Sequence, residues 1–161
     1  MAHEYKSSAI VLGMHDALVS QTGIITGLAF SLADTRLIIM TGIISAVSDG
    51  LSMLASNYLA ERERTKLKNA IVAGFYTGIA YLGTSGLLII PFFITNNATH
   101  ALIASFIIAI IIIFLFNLCM ARGNKRKTWL RFLEMLCICI SVSIIAFIIG
   151  NITKIFLGIK T

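Results

Sequence analysis

The stretch IIAIIIIFLF, residues 107–116, decides the fold. A strand of a membrane β-barrel alternates between a lipid face and a lumen face, and this run does not alternate. Extended outward it becomes an apolar segment over 101–120, and about 20 helical residues cross roughly 30 Å of hydrocarbon. Four further stretches have the same character, at about 8–32, 37–60, 70–95 and 129–157. The chain of 161 residues is 58% hydrophobic and 12% charged, with a mean hydropathy of +0.93, a composition far from that of a soluble domain. The expectation is therefore an all-α integral membrane protein with five transmembrane helices. Residues 1–161 form a single domain in this reading, because the loops are too short to hold a soluble module. The first span is too long for a cleavable signal peptide, carries Asp16 and lacks a small-residue cleavage site, so it is expected to stay in the mature protein. Cys119, Cys137 and Cys139 lie in or at the ends of the last two spans. Cys-Ile-Cys without further ligands is poor zinc spacing, and these residues read as small buried apolar groups.

Charge orients the chain. Arg62, Arg64, Lys66 and Lys68 lie between spans two and three, and Arg122, Lys125, Arg126 and Lys127 between spans four and five, with Arg131 just beyond. The other two loops hold one positive charge, in LADTR, and none in TNNATH apart from neutral His100. The positive-inside rule then puts both basic loops and the amino terminus in the cytosol and the carboxyl terminus across the membrane. Topology accounts for the basic loops, so they call for anionic lipid headgroups and not for a nucleic-acid partner. Asn97-Ala98-Thr99 matches a glycosylation sequon but is too close to the membrane to carry weight.

Ionisable residues inside the spans are few: His15, Asp16, Asp49, Glu134 and Lys154. A central aspartate costs roughly 2.5 to 3.5 kcal/mol to insert unless it meets a partner or water. Glu134 has Arg131 three residues back, which suggests a structural ion pair near the interface, and Lys154 can reach outward to the headgroups. Ser45, Asp49, Met53 and Asn57 recur every four residues along one stripe of the second helix, with Gly42, Gly50 and Ser56 close by. Gly13, Asp16, Ala17, Ser20, Gly23 and Gly27 form a comparable stripe on the first. Small residues let helices approach closely in lipid, so these stripes are expected to face each other or a symmetry mate. Taken singly, Met53 is ordinary packing, Asn57 is interhelical glue and Asp16 is a hydrogen-bond partner. Together they suggest a cation path, in which carboxylates favour hard divalent ions and the thioether favours softer transition metals. No nucleophile with a base and orienter, phosphate loop or His cluster points to an enzyme.

At these residues the chain resembles the vacuolar iron transporter family. His15-Asp16-Ala17-Leu18-Val19-Ser20 followed by TGIITGLAF is similar to that family's first helix, and Asp49-Gly50-Leu51-Ser52-Met53 with Asn57-Tyr58-Leu59-Ala60 to its second. GFYTGIAYLGTSGLLIIPFFI with Pro91, ARGNKRKTWLRFLEM and Ile149-Gly150 extend the likeness over nearly the whole chain. The resemblance implies a homodimer, with helices one and two at its interface, that moves iron(II), or manganese(II), out of the cytosol in exchange for protons. The family's aspartate and methionine map onto Asp16 and Met53. Its glutamate two turns before the methionine is Ser45 here, while Asp49 stands one turn before it, about 5.4 Å along the helix, and is expected to replace that carboxylate. The resemblance thus implies a path of Asp16, Asp49, Met53, Asn57 and Ser45. The family's Glu-rich cytosolic metal-binding domain has no counterpart between spans two and three, as in the shorter, nodulin-like branch. Glu61 and Glu63 remain as a weak capture point at the cytosolic mouth, or else as a solvated helix end paired with Arg62 and Arg64. No permanently bound cofactor is expected: the metal is substrate and the proton is the coupling ion. The membrane is a bacterial inner membrane or an organellar, vacuolar one. Two other readings stay open, a small proton-coupled exporter of organic cations and a non-transporting membrane assembly protein. Against the exporter, the aromatic residues lie mostly in spans three to five and not beside Asp16.

Overall fold

The computed structural model describes residues 2–32, 34–120, 125–156 and 158, without the side chains of 2–5, 119–120 and 125–128. They form five α-helices: α1 (Ala2–Ser31), α2 (Thr35–Arg62), α3 (Leu67–Ile94), α4 (Ala98–Met120) and α5 (Lys125–Phe156). All five are long and apolar enough to cross a membrane. The described residues contain no strand, as the unalternating run at 107–116 requires. Residues 63–66 alone separate α2 from α3, which leaves no room there for a metal-binding domain.

Polar residues inside the spans are satisfied largely within their own helices. Thr22 donates to the Leu18 carbonyl at 2.6 Å, Thr26 to Thr22 at 2.6 Å and Asn117 to Ile113 at 2.8 Å. Such back-bonding lets a hydroxyl or amide sit in hydrocarbon without an orphaned donor. The starts of α2 and α4 are capped by side chains. Asp34 accepts from the Arg36 and Leu37 amides, and Asn97 from the Thr99 and His100 amides. Each cap fills donors that the first turn cannot satisfy. Asn97 therefore has a structural task that accounts for its presence in the sequon.

Helices α1 and α3 are the most buried, while α2 and α5 present most of their surface outward. The small-residue stripes do not zip together within the chain. A Cβ on Gly13 would overlap the Thr77 carbonyl of α3, one on Gly27 would meet Ala146 of α5 at 3.3 Å, and one on Gly23 would meet Val142 of α5 at 3.0 Å. On α2, Gly50 faces Leu82 and Tyr81 and Gly42 faces Ile89, all on α3. The expectation was that the two stripes face each other or a symmetry mate; within the chain their glycines do not meet, since α3 takes those of α2, and α3 and α5 share those of α1. The reason is steric, since the closest backbone approach goes wherever glycine meets a carbonyl, as again at Gly74 against the Leu54 oxygen (2.7 Å) and Gly150 against the Gly27 oxygen (2.6 Å).

Two smaller expectations also change. Cys139 is buried but Cys137, two residues on and so on another face of α5, is exposed; Cys119 lies outside the described side chains. Arg131 and Glu134 line one cavity, yet among the described residues they form no ion pair with each other. Of the two basic loops, Arg62, Arg64, Lys66 and Lys68 are exposed, while Arg122, Lys125, Arg126 and Lys127 lie outside the described side chains.

Candidate functional site

Asp49 is half-buried on α2, between the buried stripe of Ile38, Gly42, Ala46 and Gly50 and the open face of the helix. What holds it comes from α3. Tyr81, with 0% of its surface exposed, donates its hydroxyl to Asp49 Oδ2 at 3.1 Å. The hydroxyl oxygen of Tyr81 also lies 2.6 Å from Ser20 Oγ of α1. With the phenol proton directed at the carboxylate, Ser20 is the donor of that second bond, so α1, α3 and α2 are joined through Ser20, Tyr81 and Asp49 in turn. Sequence reasoning missed Tyr81. The only available signal was its hydroxyl among apolar neighbours at mid-span of α3, and many membrane aromatics share that signal.

Asp16 lies on the exposed face of α1, one helical turn before Ser20. The two carboxylates are near enough for their charges to interact, and both act on Tyr81. Two acids and a phenol from three helices therefore form one polar layer. The tyrosine ring is enclosed by protein, so its face is closed to a cation. The expectation that aromatic residues stay away from the acids is amended here: one does reach them, through its hydroxyl.

One turn away along all three helices, toward the start of α2, lies a second layer. Gln21, also 0% exposed, donates from Nε2 to Ser45 Oγ at 2.9 Å. Its Oε1 and the Oγ of Ser85, one turn after Tyr81, are buried oxygens with no hydrogen-bond partner among the described residues. Buried polar atoms rarely go unpaired, and here two share a level next to the acids. Gln21 and Ser85 were also absent from the sequence-derived set; only Ser45 was in it.

The remaining expected residues separate. Met53 is half-buried one turn from Asp49 toward the basic loop. Asn57, another turn on, is tied to α3 by a 2.6 Å bond to Thr77 Oγ1, and Thr77 in turn donates to the Ala9 carbonyl of α1 at 3.1 Å. That makes Asn57 an interhelical tie, with a value of about 0.6 to 2 kcal/mol. Glu61 is half-buried and Glu63 exposed at the end of α2, where Glu61 contributes its backbone carbonyl to the turn. Among the described residues no three His, Cys, Asp or Glu side chains converge.

The open face beside the acids is itself polar. Ser48, Ser52 and Ser56 follow one another at four-residue spacing on α2 and are exposed, as is Asp16, while the neighbouring Leu51 is 58% exposed. Hydroxyls and a carboxylate at this depth need water or protein over them.

The sequence comparisons converge on the same helices. The chain is 25% identical to an uncharacterized protein of Methanocaldococcus jannaschii over 87% of this chain and 86% of that one. The model of the VIT family matches residues 7–70, which carry Asp16, Ser20, Gln21, Ser45, Asp49 and Met53. Through α1, α2 and the loop that follows them, this integral membrane protein is similar to the VIT family.

Proposed function

We propose that this protein is a homodimeric carrier of divalent transition metal, iron(II) and also manganese(II), which it moves out of the cytosol in exchange for protons. The carrying observation is the layer of Asp16, Asp49 and Tyr81, in which one acid is fixed by a buried phenol and the other stands on a polar, exposed face within the membrane-spanning part of α1. A helix with this much hydroxyl surface beside a carboxylate is stable in lipid if a second copy covers it. Two copies across α1 and α2 would bring up to four carboxylates and two Met53 thioethers to one axis, a donor set that suits iron(II) or manganese(II) better than sodium or calcium. The metal arrives as a substrate at the basic-loop end, where Glu61 and Glu63 offer a weak first contact, and passes Met53 to reach the acids. The oxygens of Gln21, Ser45 and Ser85 form the next step outward. Protons that replace the metal on the carboxylates weaken its binding and couple the two fluxes. Tyr81 accommodates either state of Asp49, because its hydroxyl donates to a carboxylate and accepts from a carboxylic acid. In this reading the amino terminus is cytosolic and no cofactor is held permanently.

The test is uptake by sealed proteoliposomes of iron(II), manganese(II), cobalt(II) and zinc(II) across an imposed pH gradient. Transport of iron and manganese with counterflow of protons is expected. A lipophilic cation carried instead, competed by protons and indifferent to metal, would contradict the proposal.

A further inference from the structure

On the side of α1 turned toward α4 and α5, the three helices part near the start of α5 and leave a cavity of about 330 Å³. His15, Asn117, Arg131 and Glu134 supply its polar lining, and Met135 and Ile138 part of its apolar wall. A second, apolar cavity of about 280 Å³ lies between the same helices, lined among others by Phe30, Phe106, Ile140, Ile144 and Phe147. The two cavities are separate: on α1 the first is lined by Val11 and His15 and the second by Thr26 and Phe30, and on α4 the first by Phe116 and Asn117 and the second by Phe106.

The polar end is at headgroup depth. Trp129 is 57% exposed and stacks on Phe132 with ring centroids 5.4 Å apart, the behaviour of an aromatic belt at the membrane surface. Arg131 and Glu134 are exposed within the same two turns. Opposite charges three apart on a helix normally meet. Here they form no pair with each other, and both line the cavity, where Glu134 lies within electrostatic reach of His15. Asn117 commits its amide nitrogen to the Ile113 carbonyl and keeps its own carbonyl oxygen as an acceptor.

A cation and an anion one turn apart beside an apolar wall match a ligand with both charges and a hydrocarbon tail. We propose that the first cavity binds a zwitterionic aminophospholipid of the phosphatidylethanolamine type. Arg131 takes the phosphate diester, Glu134 takes the primary ammonium with help from the Asn117 carbonyl, and the start of an acyl chain lies against Met135 and Ile138. A lipid with an anionic glycerol headgroup would set its phosphate beside Glu134 with no ammonium to answer it. A choline headgroup has no N–H to donate to a carboxylate. The cavity is separate from the acid layer, so this inference does not rest on the transport reading.

The experiment is native mass spectrometry of the full-length protein in detergent, with ethanolamine, choline and glycerol phospholipids of identical acyl chains added in competition. Wild-type protein is expected to retain the ethanolamine lipid about tenfold over the other two, the worth of one charge-assisted hydrogen bond. Glu134→Gln should erase the preference over the glycerol lipid, and Arg131→Gln should weaken all three. Ile138→Trp, which fills the apolar side of the cavity, should weaken all three without changing their order. Equal retention of the three lipids by wild-type protein would overturn the proposal. So would an unchanged order in Glu134→Gln, an isosteric change at an exposed position that serves even if Arg131→Gln fails to fold. Displacement of the lipid by soluble phosphoethanolamine would assign the cavity to a small zwitterion and also sink the lipid site.

Discussion

Asp49 takes a hydrogen bond from a phenol that is itself fully enclosed, so its orientation is set by α3 and not by its own helix. Tyr81→Phe keeps the ring and removes the donor. Thermal unfolding should show a loss of about 0.5 to 1.5 kcal/mol for the missing bond, and metal flux should fall with helix content unchanged. Gln21→Leu separates path from scaffold. It removes a buried orphan oxygen together with the bond to Ser45, so a purely structural glutamine would change stability and leave transport intact, whereas a glutamine of the path loses transport whatever the change in stability. Met53→Leu keeps the volume and deletes the sulfur, and it should lower iron(II) uptake more than manganese(II) uptake, since the thioether favours the softer ion. Asp16 and Asp49 stand out in the sequence because an acid in an apolar run carries an insertion cost that asks for a reason. Tyr81 does not, because it lies 32 positions from Asp49 and 61 from Ser20, and only the packing of three helices brings them together. Asn57, in register with the acids, has its amide nitrogen bound to Thr77, the interhelical tie that its residue type alone suggests.

For the helices, glycine marks where backbones touch. Gly13→Ala would drive a methyl group into the Thr77 carbonyl, so α1 has to move off α3 and carry Ser20 away from Tyr81. A marked fall in thermal stability and loss of transport are expected. Gly83, on the same α3 but with nothing within 4 Å of its missing Cβ, is the control. There alanine should be neutral or stabilising by up to about 1 kcal/mol, from helix propensity alone. Parallel melting curves of the two variants in detergent decide the matter, and similar losses in both would refute this packing. The five helices were legible because hydrocarbon thickness fixes their length and apolar content. Their partners were not. A stripe of small residues says that something comes close without saying what, and within the chain it is α3 that meets the glycines of α2. Opposite charges at Arg131 and Glu134 misled, since spacing on one helix does not reveal a cavity made by two others.

Across the molecule, the acids open on a polar face of α1 and α2, and the headgroup cavity opens between α1, α4 and α5. If the first is the dimer axis, a single cysteine at exposed Ser52 in a background without Cys119, Cys137 and Cys139 should cross-link two protomers in the membrane, whereas one at exposed Ile145 on α5 should not. Cross-linking at Ile145 alone would move the interface and leave Asp16 facing lipid, where its insertion cost has no offset. The most direct measurement of the central claim is proton release and iron(II) uptake recorded together in proteoliposomes holding wild-type protein, Asp16→Asn or Asp49→Asn. Wild type should exchange metal for protons, and both variants should lose the two fluxes together while keeping helix content and assembly. Wild-type exchange rates in either variant would contradict the account.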